Sequence, residues 1–562
     1  MPSMASVRLP SLPRGFLPRL DAWKVLTLGI AAMVALPVVV VLAHVVMPTD
    51  GVWEHLSSTV LTRYVGNTLF LLVAVGLGTL VIGAGTAWLV VMCRFPGQRI
   101  FEWALLLPLA VPTYVIAYAY TDFLQFAGPV QTWLREVFEW TRHDYYFPNI
   151  RSLGGAATLM TFVLYPYVYL LARAAFLEQS VCVLDVGRTL GRGPWRLFSG
   201  VALPLARPAL AGGVALALME TLNDFGAVQF FGVDTFTTGI YRTWFGLGEP
   251  VAAAQLAAFM MAFVLLLVLL ERWSRGRSRY FHTSSRYQAL PEYQLQGWRA
   301  AGGVFACGLP VLIGFLLPAG LLTNLSIRQG DALLGSRFLE FATNSLTLAA
   351  TAAVIAVVLS VLLSYGVRLN PGPVTRGAAR IAAMGYAIPG AVIAVGVLIP
   401  LGWMDSQLNA FFNERFDVHL GLLLSGSMFI LVYAYVARFL AVSFNTVEAS
   451  LGKVTPTMDA ASRTLGKTAG GTLRRVHTPI MRSSLLAAGI LVFVDAMKEL
   501  PATIILRPFD FETLAVRAHN LASDERLAQA STSSLAIVVV GVIPVILLSL
   551  AMRRARPGSG KQ

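Results

Sequence analysis

Four carboxylates stand inside stretches of this chain that are otherwise apolar. Glu220 and Asp224 are four residues apart, and Asp495 and Glu499 repeat that spacing 275 residues later. A spacing of four puts both acids of a pair on one face of a helix. An acid at the centre of a bilayer costs about 2.5–3.5 kcal/mol on insertion scales, so four at matching depth need a reason. Glu220 lies 13 residues past Arg207, roughly 20 Å along a helix axis and within a hydrocarbon slab. Such acids could line a polar route suited to a cation. They could equally be paired or protonated structural groups close to a watery mouth. Lys498 beside Glu499 is placed to neutralise one charge, and Pro501 ends the second stretch nearby.

A second pair of features is polar and basic. Asp185-Val186-Gly187-Arg188-Thr189-Leu190-Gly191 leads to Leu203-Pro204, and Ala460-Ala461-Ser462-Arg463-Thr464-Leu465-Gly466 leads to Thr478-Pro479. In both, a proline stands thirteen positions after the glycine, and an arginine (Arg207, Arg482) follows three residues later. The glycines break a short helix and the prolines restart the chain as the next span begins. The expected result is helix, turn, helix along a membrane surface, a docking element for a soluble partner. An ordinary basic loop held by lipid headgroups would look similar if it occurred once; the repeated spacing favours docking.

The elements that carry these residues follow from composition. The 562 residues are 56% hydrophobic and 13% charged, with mean hydropathy +0.68; soluble domains carry about 25% charged residues. Apolar runs of membrane-spanning length recur, which predicts an all-α polytopic membrane protein. The net charge of +14 is unevenly placed. Alternate loops, counted from the N-terminus, hold 31 of the 43 Lys and Arg but only 8 of the 29 acids. This positive-inside bias puts both termini in the cytoplasm and argues against nucleic acid as a partner. The basic face meets anionic lipid and acidic cytosolic partners. The three cysteines (Cys93, Cys182, Cys307) and seven histidines (44, 55, 143, 282, 419, 477, 519) make no metal or catalytic spacing. The apolar run Val25 to Val46 is too long for a signal-peptide core and reads as a retained first helix.

Twelve spans are expected, at 25–46, 66–92, 101–123, 153–176, 206–226, 251–271, 303–323, 344–367, 378–402, 421–443, 483–505 and 533–551. The basic stretch 272–300 is a cytoplasmic linker between halves of six spans. The halves are repeats: Asn67-Thr68-Leu69 matches Asn344-Ser345-Leu346 and Pro112 matches Pro389, both 277 apart, and Tyr165-x-Tyr167-Val168 matches Tyr433-x-Tyr435-Val436. An even number of spans gives both repeats one orientation, related by an axis along the membrane normal. The outer loop 127–151, with Trp133, Trp140, Tyr145, Tyr146 and Phe147, reads as an interfacial aromatic belt or as part of a receptor-docking surface.

The basic islands resemble the EAA loop of ABC-type importer permeases, whose pattern is an acid, two alanines, three residues, glycine, nine residues, then apolar-x-apolar-Pro. The first copy has Asp185, Gly191 and Val201-Ala202-Leu203-Pro204; the second has Gly466 and Val476-His477-Thr478-Pro479. The second copy departs from the pattern, with Ala460 at the acid position and Asp459 one residue earlier. The sequences around Glu220-Thr-Leu-Asn-Asp224 and Lys498-Glu-Leu-Pro-Ala-Thr503 resemble fused ferric-iron permeases of bacterial binding-protein-dependent importers. Related permeases for thiamine, polyamine-type and sulfate-type cargo share the architecture.

The resemblance implies two tandem type I ABC permease units in the inner membrane, at 63–271 and 340–551. Flanking them would be a tail and first helix (1–62), the linker 272–300, a seventh helix with an outer loop (301–339) and a cytoplasmic tail (552–562). It further implies coupling loops at Asp185, Arg188, Gly191, Pro204, Asp459, Arg463, Gly466 and Pro479. They would meet two ATP-binding cassette subunits carrying ATP and Mg²⁺, and a periplasmic binding protein would deliver the solute. The acids are compatible with Fe³⁺, a hard cation that prefers oxygen, and with cationic thiamine. No cofactor is expected on this chain: Gly466-Lys467-Thr468 imitates the end of a P-loop, but Ala461 stands where the motif needs glycine. A secondary transporter driven by an ion gradient would also have repeats and buried acids, but no use for paired coupling loops. A membrane enzyme would need clustered catalytic groups that the sequence lacks.

Overall fold

The computed structural model describes residues 21–49, 51–177, 179, 189, 193–275, 293–329 and 336–554. It is built from helices; the strands among the described residues are the two-residue pieces Cys93–Arg94 and Tyr293–Gln294, paired in parallel. Among the described residues, eleven helices are long and apolar enough to cross a membrane, from Ala22–Val46 to Leu527–Leu547. The expected third span at 101–123 is instead a pair, Gln98–Ala110 and Thr113–Phe138, bent by 91°. Proline is the cause. Pro112 is extended (φ −60°, ψ 145°) and caps the helix Thr113–Leu124, while Val111 before it is forced out of helical geometry (φ −106°, ψ 118°). Pro389 does the same in the second half (φ −59°, ψ 143°), so the expected span 378–402 becomes a short helix Pro373–Ala382 and a span Gly390–Phe416.

The repeated asparagines hold each repeat's second span to a later loop. Asn67 Nδ2 donates to the Asp234 carbonyl (2.8 Å), and Asn344 Nδ2 to the Glu512 carbonyl (3.2 Å). The tyrosine match is out of register. A Cβ on Gly83 would meet the Tyr165 carbonyl and Val168, whereas the equivalent Ser360 bonds to the Leu440 carbonyl and Ser443. Leu440 thus stands where Tyr165 does, seven residues from the Tyr433 that sequence similarity selects. Two turns of helix return a side chain to nearly the same face, so a slip of seven preserves the apolar pattern.

The repeats exchange their first helices. Ala22–Ala43 packs on Ser336–Leu369, Pro373–Ala382 and Gly390–Phe416 of the second half. Trp23 meets the edge of Tyr365 at 5.2 Å. Reciprocally, the seventh span reaches the first half: a Cβ on Gly314 would lie 2.5 Å from the Phe162 carbonyl, and Tyr120 Oη donates to the Ile313 carbonyl at 2.7 Å. In the segment 127–151, the Arg135 guanidinium holds the helix Pro129–Phe138 back over the Phe126 ring at 4.1 Å, leaving Trp133 exposed.

Close backbone approach makes this exchange sensitive to volume. A Cβ on Gly396 would stand 2.2 Å from the Pro37 carbonyl. We expect Gly396→Val to destabilise the protein by about 1–3 kcal/mol through overpacking, read as a lower melting temperature in detergent. An unchanged melting point would mean that the first helix does not sit there.

Candidate functional site

Two helices run from the basic islands into the space between the halves. The chain from Pro194 to Asn223 is one helical rod, and so is the chain from Ala469 to Met497. At 1.5 Å per residue each is roughly 45 Å long. The prolines, expected at the start of the next span, lie inside these rods, which begin about ten residues earlier. Immediately before them lie π-helical turns at equivalent positions, Phe198–Ala202 and Leu473–His477. A proline within a helix lacks an N–H and crowds the carbonyl four residues back. A wider turn absorbs that conflict and lets the helix continue.

The rods end at a shared cavity whose wall includes Glu220, Asp224, Asp495 and Glu499. The structure therefore brings all four acids together, but not on two helix faces. The helices stop at Asn223 and Met497, and Asp224 and Glu499 turn to serve the short helices that follow, Gly226–Phe230 and Pro501–Leu506. Asp224 Oδ1 accepts from the backbone N–H of Ala227 (3.0 Å) and Val228 (3.1 Å), and its Oδ2 accepts from the Thr113 hydroxyl. Glu499 Oε1 accepts from the Ala502 N–H at 3.2 Å, the equivalent bond in the second half. Exposed helix N–H groups need acceptors, and in an apolar layer no water supplies them.

Cations complete the second half's wall. Arg438 Nη1 lies 3.0 Å from Glu499 Oε1, both side chains about 95% buried. Arg438 lies in the middle of the helix Met428–Leu451, inside the expected span 421–443. Lys498 pairs with Asp495 at 2.9 Å, not with Glu499 beside it, because residues three apart share a helix face and adjacent ones do not. Asn223 joins the halves: its Oδ1 accepts from the Gly390 N–H (2.7 Å) and from Arg438 Nη1 (2.8 Å). Sequence reasoning passed over Arg438 and Asn223. The signal for Arg438 was available, since an arginine within an apolar span is itself a functional marker; Asn223 carries none.

Of the first basic island, Asp185, Arg188 and Gly191 lie outside the described residues, while Pro204 sits in the first turn of the helix Leu203–Asn223. The second island is described throughout. A helix Pro456–Thr464 ends at Gly466, which takes the left-handed conformation (φ 70°) that glycine adopts freely. Thr468 then caps the following turn, its hydroxyl accepting from the Gly471 N–H at 3.2 Å. The displaced acid has an internal task. Asp459 Oδ2 takes Arg368 Nε at 2.8 Å, and its Oδ1 lies 2.6 Å from His477 Nε2. Arg368 also donates to the carbonyls of Leu451 and Val454, each at 2.8 Å. Asp459 thus clamps the loop helix to the rod that follows it. Arg463 and Leu465 face solvent, Leu465 being 77% exposed, and Pro479 lies in the first turn of the helix Thr478–Met497, within the rod.

Among the described residues no group of three or more His, Cys, Asp or Glu side chains is arranged to hold a metal ion. The arrangement offers a polar, net-acidic space between two helix bundles, reached by two rods, the second of which begins at a shaped loop.

Residues 79–280 match the family described as binding-protein-dependent transport system inner membrane component. The Fe(3+)-transport system permease protein FbpB 2 of Haemophilus influenzae is 25% identical over 531 residues, which are 92% of this chain and 96% of that protein. The ferric transport system permease protein FbpB of Actinobacillus pleuropneumoniae is 22% identical over 515 residues, 88% of this chain and 72% of that one. The molybdenum transport system permease protein ModB of Escherichia coli K12 is 29% identical over 207 residues, 36% of this chain but 87% of that protein. A relative the length of one repeat beside relatives the length of both is what tandem duplication produces.

Breaking a buried ion pair from one side strands the other charge. We expect Arg438→Ala to cost about 3–5 kcal/mol of stability, and Glu499→Gln added to Arg438→Met to recover most of it. Thermal unfolding of the detergent-solubilised protein reads both; equal loss in the two variants would show that the pair itself is not what matters.

Proposed function

Since the chain belongs to the binding-protein-dependent inner-membrane transport permeases, we propose that it is the multi-pass subunit of an ATP-driven importer of ferric iron. Two ATPase subunits, carrying ATP and Mg²⁺, engage the loops around Gly191 and Gly466 from the cytoplasm, where both termini lie. A periplasmic binding protein delivers the ion to the outer face. Full-length similarity to ferric permeases supports the cargo. The observation that carries the mechanism is the continuity of each rod, which runs from a loop to a cavity acid without a flexible joint.

Closure of the ATPases on nucleotide pulls the loops together, and the unbroken helix of each rod transmits the displacement to the cavity wall. The helix Pro456–Thr464 moves with its rod because Arg368, Asp459 and His477 lock the two. The route opens outward to receive the ion and inward after hydrolysis. Glu220, Asp224, Asp495 and Glu499 give the wall its acidic character, suited to a cation passing through weak contacts. This chain binds no nucleotide and forms no covalent intermediate.

Reconstituted with its ATPase and binding protein in vesicles, the chain should take up ferric iron when ATP is supplied on the ATPase side, and not under a proton or sodium gradient alone. Gradient-driven uptake without nucleotide would refute the proposal. Gly466→Asp is the sharpest variant. Aspartate tolerates the left-handed conformation better than most residues, and the glycine has open space around it, so the loop keeps its shape while a charged side chain enters the docking surface. Uptake should fall at least about tenfold, the equivalent of ~1.4 kcal/mol in partner affinity, with membrane insertion intact. Asp459→Ala should leave ATPase binding in place but lower the uptake obtained per ATP hydrolysed, because the loop helix loses its clamp to the rod.

A further inference from the structure

The two halves of the cavity are not electrically equivalent, although their acids occupy matching positions. Three of the four carboxylates are committed. Asp224 and Glu499 are spent on the N–H groups of the short helices, and Glu499 also on Arg438. Asp495 holds Lys498 at 2.9 Å. Glu220, the equivalent of Asp495, forms no ion pair among the described residues; its side chain hydrogen-bonds to Tyr386, while Arg438 and Lys498, each paired with another acid, act on it from beyond contact distance. The difference lies in one substitution between repeats. The position 275 residues before Lys498 is Asn223, which turns its side chain to Gly390 and Arg438 across the interface and neutralises nothing.

We propose that Glu220 is the residue that admits a cation to the route: among the described residues it is the one acid of the four that neither pairs with a cation nor accepts from a backbone N–H, and it stands on the first half's wall. The inference rests on the reading of the chain as a cation importer. A passing ion meets Asp495 and Glu499 already paired with Lys498 and Arg438 on one side, and the unpaired Glu220 on the other. It therefore moves along the first half, through one weak contact rather than a cage. A single exposed charge attracts a cation without trapping it, which suits a step that must release as readily as it binds. A half-buried carboxylate also acts through a lower effective dielectric than water provides, so its loss is felt.

The test uses the whole assembly in vesicles, with iron-loaded binding protein outside and ATP with the ATPase. Three variants are compared with the wild type for ferric uptake and for ATP hydrolysis stimulated by the loaded binding protein: Glu220→Gln, Glu220→Asp, and Glu220→Gln with Lys498→Asn. Glu220→Gln should lower uptake by about tenfold and keep the stimulated hydrolysis, since its shape is unchanged. Glu220→Asp should retain most uptake. The double variant should recover uptake, because Lys498→Asn releases Asp495 and moves the free carboxylate to the opposite wall. A merely structural role for Glu220 predicts no such recovery. Undiminished uptake in Glu220→Gln, or no recovery in the double variant, overturns this inference and leaves the permease standing. No ATP-dependent uptake by the wild type overturns the proposed function, and the inference with it.

Discussion

A helix that ends inside an apolar layer exposes backbone groups that nothing around it can hydrate. The described chain does this twice, after Asn223 and after Met497, and much of the site follows from how those ends are satisfied. A carboxylate placed just beyond each end accepts the N–H groups of the next short helix. The acids therefore serve backbone geometry before they serve any solute. Placing them there brings negative charge into the membrane, and the second half answers with Arg438 and Lys498. Paired and hydrogen-bonded charges can be kept where isolated ones cannot.

The same broken geometry creates the space between the halves. The short helices Gly226–Phe230 and Pro501–Leu506 fold back from the rods and leave room that a straight span would fill. On the other side of that space the kinks at Pro112 and Pro389 put helix starts against the cavity, and the Gly390 N–H is taken up by Asn223 from the opposite half. Each half thus completes the other's backbone hydrogen bonding. The exchange of first helices reinforces this coupling from outside, since Ala22–Ala43 lies on the second repeat and the seventh span on the first. Motion of one bundle relative to the other must then be a rearrangement of packed helices, not a loosening of one.

Rigidity from loop to cavity is the complementary feature. The π-helical turns before Pro204 and Pro479 keep the rods continuous where proline would otherwise break them. Asp459, shifted by one residue from the family pattern, is the clearest case of a departure that the structure explains. From its place in the loop helix it reaches both Arg368 and His477, and so joins that helix to the span Ser336–Leu369 and to the rod that follows the turn.

Much of this was open to reading from sequence alone. Periodic apolar runs, the repeat, the basic islands and the four acids are local patterns of residue type, and membrane burial leaves them few alternatives. The prolines at 112 and 389 were visible as a repeat, but their bend was not, because a proline inside an apolar run is compatible with a kinked span as well as a broken one. The tyrosine register failed for a related reason: a seven-residue slip costs nothing in helix pattern, and only the packing of Gly83 and Ser360 against their neighbours resolves it. Which acid pairs with which cation was beyond sequence altogether. Arg438 lies 61 residues from Glu499 and 215 from Asn223 along the chain, and only the folded arrangement makes them neighbours. Sequence thus determined which chemical groups enter the membrane. Tertiary structure decided which of them are consumed in holding the fold, since that depends on distances between segments that no local pattern encodes.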